Sequence, residues 1–234
     1  AVSAFEVVIE KIIAGGDGLA RHDGRIVFVP RTVAGEKHLV EVIEEKRDYL
    51  RAKSLKCILP SKDRRVAPCP YYARCGGCSL MHVSVKAQVD TKRGILIESL
   101  KRAGVNLTES TDVVVRQAPT TGYRNRLRFH IAHYPESFSM GFFRHSSHIV
   151  EDIDYCLLGL PLLNKRWQLV RMFFEENPEF ARLVESIELQ ESSDNLHRVD
   201  LKPGTKPLTL FIPGPFGFRK TPRATYNQDF EKQK

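Results

Sequence analysis

The run Cys69-Pro70-Tyr71-Tyr72-Ala73-Arg74-Cys75-Gly76-Gly77-Cys78 holds three of the chain's five cysteines at the spacing C-x5-C-x2-C. A fourth, Cys156, lies far downstream. Three clustered thiols and a distant fourth form one donor set only in a fold that returns Cys156 to the loop. Four soft thiolates suit an iron–sulfur cluster or a structural zinc ion. Structural zinc is usually gripped by two close pairs. Here one spacing is five and the last ligand has no near partner. That pattern favours a [4Fe–4S] cluster held by Cys69, Cys75, Cys78 and Cys156, with zinc and purely structural or disulfide cysteines as the alternatives. Gly76 and Gly77 allow a tight turn that aims N–H groups at the sulfides. The odd cysteine count argues against a secreted disulfide framework and for a reducing, cytoplasmic setting. The spare residue, Cys57, sits in the apolar stretch Leu55-Lys56-Cys57-Ile58-Leu59 and reads as a small buried hydrophobe.

Upstream of the loop, the first ~55 residues read as short strands with glycine punctuation. Phe5–Ile12, Arg25–Val29, Lys37–Glu44 and a segment within Tyr49–Leu59 are the strands, and Gly15–Gly18 is a turn. This spacing suggests a closed barrel of oligonucleotide-binding type, with a sandwich fragment as the alternative. Residues 61–68 form a basic, proline-ended linker into the cysteine loop.

Downstream, Ser84–Ala103 reads as a helix with Ser84 as N-cap and Gly104 as the stop. Asp112–Gln117 and Tyr123–His133 read as strands. In the latter, Arg124, Arg126 and Arg128 alternate with Asn125, Leu127 and Phe129, so the arginines share one face. Such a ladder calls for anions, and phosphate matches the guanidinium fork. A solvated face with carboxylate neighbours is the competing reading. Ser139–Arg144 returns as a hairpin partner through the turn Tyr134–Ser137. Leu162–Glu176 reads as a helix, and Leu183–Gln190, Leu196–Lys202 and Lys206–Ile212 as strands. The rest, to Lys234, reads as a connector.

The chain has 234 residues, room for two domains, and its 42% hydrophobic content supports real cores. Its net charge of +8 permits a nucleic-acid partner without proving one. No apolar run reaches the ~20 residues that span a bilayer, so no membrane partner is expected.

These residues resemble the iron–sulfur-containing RNA uracil-5-methyltransferases, the family that makes 5-methyluridine in ribosomal or transfer RNA. Gly16-Asp17-Gly18-Leu19-Ala20, Ile26-Val27-Phe28-Val29-Pro30 and Ala34-Gly35-Glu36 are similar to stretches of its TRAM domain. Cys69-x5-Cys75-Gly76-Gly77-Cys78 followed by His82 is similar to its cluster motif. Tyr123-Arg124-Asn125-Arg126, and Gly141-Phe142-Phe143-Arg144 running on to Asp154-Tyr155-Cys156, resemble its central domain. The likeness covers Phe5 to about Cys156, with a weak echo at Ala224–Gln228.

The resemblance implies an α+β fold class: a TRAM-like, oligonucleotide-binding-like barrel over 1–58, then an α+β central domain with the four-cysteine site and a basic hairpin over 59–220, then a connector over 221–234. It implies RNA contacts by Arg124, Arg126, Arg128 and Arg144 with a single-stranded loop of rRNA or tRNA. It implies S-adenosylmethionine as cofactor of the full-length enzyme. This sequence shows no glycine-rich turn after a parallel strand and no spare catalytic thiol. The Rossmann-like methyltransferase domain is therefore expected to be missing and the chain alone inactive, an RNA-recognition portion of such an enzyme. A non-enzymatic RNA-binding module with a structural or redox-sensing cluster is the alternative. The chain is expected to be a monomer with weak self-association through the Ser84–Ala103 helix.

Overall fold

Val27 and Val29 are fully buried while Ile26 and Phe28 beside them are half-exposed, the period-two signature of a strand with one face on a core. The structure, a computed structural model, describes residues 4–107, 113–116, 118–191 and 197–201. It divides into two compact units: Ala1–Tyr72 with Cys78–Gln117, and Ala73–Gly77 with Ala118–Lys234.

The first unit is built on β1 (Phe5–Val8), β2 (Lys11–Ile12), β3 (Gly18–His22), β4 (Arg25–Val29), β5 (Lys37–Glu45) and β6 (Tyr49–Leu59). The strand order is β1-β5-β6-β4-β3-β2, antiparallel except for the parallel pair β4–β6. The two edge strands, β1 and β2, are consecutive in the chain. Two peptide units at Ile9 and Glu10 therefore join one edge of the sheet to the other and close it into a barrel. The Glu10 N–H donates to the Leu19 carbonyl at 2.8 Å across that seam. Val7, Ile9, Ala20, Val27, Val29, Val40, Leu50 and Ala52 fill the interior.

Two features differ from the sequence expectation. The expected strand Phe5–Ile12 breaks in two, because the Ile9 N–H still donates towards the β5 side, to the Glu36 carbonyl, while the next N–H, of Glu10, donates to Leu19 of β3. The strand β3 was not expected. Asp23 (φ 46°) and Gly24 (φ 77°) make the two-residue hairpin turn that pairs it with β4.

The helix α1 (Val85–Arg102) also belongs to this unit. Ser84 caps it, accepting from the Ala87 N–H and donating to Asp63. Gly104 (φ 80°) ends it in a Schellman turn, with Gly104 N–H on the Lys101 carbonyl and Val105 N–H on the Leu100 carbonyl. No residue of α1 is fully buried.

The second unit is a sheet of order β11-β10-β7-β8-β9, antiparallel throughout. Its strands are β7 (Arg126–His133), β8 (Phe138–Phe143), β9 (Val150–Asp152), β10 (Val184–Gln190) and β11 (His197–Leu201). The helices α2 (Pro161–Glu176) and α3 (Pro178–Ala181) lie between β9 and β10 in the chain. Leu163, Trp167, Val170 and Phe174 of α2 are buried, as are Leu127, Phe129 and Ile131 of β7. Trp167 stacks on Phe129 at 3.6 Å between centroids and its Nε1 donates to the Ile153 carbonyl. Such a pair adds about 0.5–1.5 kcal/mol beyond area burial.

Residues 113–116 carry no strand, and Val114 is exposed. A β-branched run without a partner strand has no ladder to join. The expected strand Lys206–Ile212 and the connector over 221–234 lie outside the described residues.

Candidate metal centre and nucleic-acid interface

Cys69 and Cys78 belong to the first unit, Cys75 and Cys156 to the second, and no disulfide joins any of the five cysteines. The Tyr72 N–H donates to the Cys69 carbonyl and turns the chain. Tyr72 is buried, and its hydroxyl lies 2.6 Å from His82 Nδ1 and 3.0 Å from the Ser79 carbonyl. His82 Nε2 lies 3.1 Å from the Thr32 carbonyl. A carbonyl only accepts, so Nε2 carries the hydrogen, and Nδ1 and the Ser79 carbonyl share the single Tyr72 hydroxyl hydrogen. Burial holds the imidazole below its ordinary pKa and so keeps it neutral. The same burial raises the Tyr72 phenol.

Cys75 is bridged to Arg144 as a short antiparallel pair, with Gly76 N–H on the Phe143 carbonyl at 2.9 Å. A Cβ on Gly76 would stand 2.8 Å from that carbonyl oxygen, so the glycine is required by the approach of backbone to backbone. Gly77 N–H donates to Cys75 Sγ at 3.4 Å. Cys156 is pinned by Asn164 of α2. Its N–H donates to Asn164 Oδ1 at 2.8 Å, and Asn164 Nδ2 donates to the Cys156 and Gly159 carbonyls. Sequence reading missed Asn164, although an amide within the first turn of a helix eight residues after a candidate ligand was the available signal.

A second group of donors lies in the barrel. Glu36, His38 and Cys57 bring a carboxylate oxygen, a ring nitrogen and a thiol within 4.8 Å of one another. The carboxylate is already claimed. Arg64 donates to both its oxygens, the Val33 N–H donates at 2.7 Å, the Ser61 N–H at 3.2 Å and His38 Nε2 at 2.9 Å. His38 Nδ1 bonds Ser54 at 2.7 Å. A cation would have to displace a guanidinium here. The network is a structural joint between the barrel and the linker to the cysteine loop. Burial alone would raise the Glu36 carboxyl, but the bonds from Arg64, His38 and the two amides outweigh it and hold the group far below the usual carboxylate range. Cys57 is half-buried rather than buried, and desolvation raises its thiol pKa.

The expected arginine set does not form one ladder. Arg126 and Arg128 share a face of β7, opposite Gln190 and Glu188. Arg126 Nε lies 3.5 Å from Glu188, and Arg128 Nε donates to Ser186 at 3.2 Å. The same face carries His130, stacked on Phe143 at 4.0 Å. Arg124 precedes the strand, its backbone bonded to Leu158 and Leu160. Arg144 turns to Glu151, with Nε 2.9 Å from Oε2. Two guanidiniums on an open sheet face beside a stacked aromatic pair can engage phosphates and bases.

Residues 2–55 match the family profile of the TRAM domain. Over 163 residues, 69% of its length, the chain is 36% identical to an uncharacterized RNA methyltransferase of Aquifex aeolicus, of which it covers 37%. Over 149 residues it is 36% identical to the 23S rRNA (uracil(1939)-C(5))-methyltransferase RlmD of Shewanella amazonensis, covering 63% of this chain and 34% of the relative. The chain thus spans little more than a third of the relatives it matches. Among solved structures it aligns with a Pyrococcus abyssi tRNA (uracil-54, C5)-methyltransferase in complex with S-adenosyl-L-homocysteine. The TM-score is 0.58 at 22% identity, over 84% of this chain and 45% of that one.

This corrects one part of the expected fold, α+β with an N-terminal barrel and a central domain: the expectation that the methyltransferase fold is missing. Most of the chain follows the backbone of a methyltransferase, with the TRAM domain at its N-terminal end. The expectation rested on the absence of a glycine-rich turn, a local motif, whereas fold likeness is carried by the path of the whole backbone.

Proposed function

We propose that the chain acts in RNA recognition within an S-adenosylmethionine-dependent RNA uracil-C5-methyltransferase. The observation that carries this is the 36% identity to relatives named RNA methyltransferases, one of them a 23S rRNA uracil-C5 enzyme. The barrel within residues 1–58 and the Arg126–Arg128 face of the second sheet are the RNA-binding surfaces in this reading, and residues 59–220 form the cluster-bearing domain. Arg126 and Arg128 engage phosphates, and the His130–Phe143 stack offers a surface for an unstacked base of a single-stranded rRNA or tRNA loop. Arg124 and Arg144 serve the RNA indirectly, one through backbone bonds at the start of β7 and the other through its buried carboxylate partner.

Cys69, Cys75, Cys78 and Cys156 are the proposed [4Fe–4S] ligands. Their chemistry fits: all four are thiols outside any disulfide, and the Gly77 N–H already donates to one sulfur. A bound cluster supplies a four-thiolate anchor for the loop. S-adenosylmethionine is proposed for the whole protein, and no residue of this chain is assigned to it. The relatives' names do not favour a non-enzymatic module.

The test is binding of a uridine-containing RNA stem-loop across a salt series. Affinity should fall linearly in log–log form, with a slope near −0.7 for each phosphate neutralised on single strands. A flat response would overturn the electrostatic reading. Iron and acid-labile sulfide near four each per chain, after anaerobic purification, support the cluster, and zinc without sulfide refutes it.

A further inference from the structure

We propose that Glu151 is the positioning residue of the Cys75 thiol, acting through a two-arginine clamp on either side of it. The proposal deepens the cluster reading above and rests on it for its ligand.

Glu151 lies on the short edge strand β9, yet it is only 3% exposed. An isolated carboxylate in such a place is strongly disfavoured unless it is paired. Its two oxygens take one guanidinium each: Arg74 Nε at 2.5 Å on Oε1 and Arg144 Nε at 2.9 Å on Oε2. The two arginines are not arbitrary neighbours. Arg74 precedes Cys75 in the chain, and Arg144 is the residue bridged to Cys75 across the short antiparallel pair. One carboxylate thus ties together the two backbone segments that flank the thiol.

The backbone bonds of the same pair are few and local. Gly76 N–H donates to the Phe143 carbonyl at 2.9 Å, and His145 N–H reaches the Arg74 carbonyl at 3.4 Å. The loop is a strand fragment laid beside the end of β8, too short to hold its own register. The clamp supplies that register from the side chains. Both arginines stay partly in solvent, at 61% and 45% exposed, so their partner is not there merely to neutralise buried charge.

The test compares Glu151→Gln, Glu151→Asp and a control, Asp152→Asn, in the full chain. Asp152 is the next residue on β9. It accepts from the Met140 N–H and pairs with Arg171, so its loss weakens the same strand without touching the clamp. Two readouts are taken. The first is the alkylation rate of Cys75 in the metal-free protein, mapped by mass spectrometry with Cys57 as internal reference. The second is the rate at which visible absorbance is lost to a chelator after anaerobic cluster loading.

Glu151→Gln should raise the Cys75 alkylation rate roughly tenfold by freeing local opening of the loop, and should speed cluster loss. Asp152→Asn should leave both rates near wild type even where it lowers thermal stability as much. Glu151→Asp should restore part of the protection, because it keeps the charge and lacks only reach. Equal exposure of Cys75 in Glu151→Gln and Asp152→Asn at matched stability, or an unchanged rate in Glu151→Gln, overturns the proposal. If wild-type protein takes up neither iron nor sulfide, the cluster reading fails and the alkylation comparison alone decides the clamp.

Discussion

Replacing Glu36 with glutamine keeps the shape of a fully buried side chain and removes its charge. The carboxylate is 0% exposed and its Arg64 partner 30% exposed. It accepts from the Arg64 guanidinium, from His38 and from the amides of Val33 and Ser61. Glutamine has one acceptor oxygen and must turn an NH2 group towards donors. At least one of these partners is then left buried and unmatched. Breaking a buried ion pair from one side costs about 3–5 kcal/mol, and this pair has two extra amide bonds, so a loss in that range is expected at pH 7. The assay is hydrogen exchange of the β5 and β6 amides, with Trp167 fluorescence as an internal control. Trp167 is the chain's single tryptophan and belongs to the second unit. Exchange should accelerate in the barrel while Trp167 reports an unchanged transition.

The pH dependence has a definite sign. The folded-state carboxyl sits well below its unfolded value of 4.5, so the unfolded chain binds more protons in between and stability falls with falling pH there. The advantage of wild type over Glu36→Gln should be full above about pH 5 and shrink steadily as the solution is made more acidic. A penalty under about 1 kcal/mol, within the range of an exposed pair, or a gap that stays constant from pH 7 to pH 3, would refute the reasoning.

Gly76→Ala forces a Cβ against the Phe143 carbonyl oxygen and should cost about 1–3 kcal/mol in the second unit, read by Trp167 fluorescence in urea. Gly94→Ala, in the middle of α1 with open space around its Cβ, should instead stabilise by about 0.5–1 kcal/mol. His82 has a lowered folded pKa, so its contribution is full above pH 6.5 and is lost as pH falls below that value. His82→Gln should flatten the fall in stability between pH 7 and pH 5. Asn164→Ala removes three hydrogen bonds around Cys156 and should cost about 1–3 kcal/mol, with faster alkylation of that thiol.

What the sequence made legible was local. Ser84 as a cap and Gly104 as a stop act through bonds to residues within a few positions, and both stand in the structure as expected. The hairpin of β7 and β8 was legible because its turn residues lie between two runs of alternating pattern. The strand β3 was missed because Gly15–Gly18 was read as the whole connection, although Asp23-Gly24 announces a two-residue turn. Glu36 reads as surface in any sequence, since its burial depends on an arginine that lies 28 positions away and on a loop amide. The pairing of Arg144 with Glu151 was illegible for the same reason, because Glu151 looks like an exposed acid on a strand. The likeness to RNA methyltransferases was legible from motifs such as Gly16–Ala20 and Ile26–Pro30 of the barrel; that it extends over 84% of the chain's backbone was not, because a fold is a property of the whole path and not of one glycine-rich turn.

The seam of the barrel has a consequence for how the first unit comes into being. β1 is made first but has no partner until β5 is made, with Phe5 facing Val40 and Val8 facing Lys37. Until then the opening strand is a loose thread, and the ring cannot be drawn shut from the N-terminal side. The ring closes only when β5 and β6, the last two of its strands in chain order, have taken their places between β1 and β4. A shortened N-terminus would not merely trim the barrel: it would remove β1, open an unpaired edge along β5, and turn a closed ring into a sheet that offers that edge to other chains.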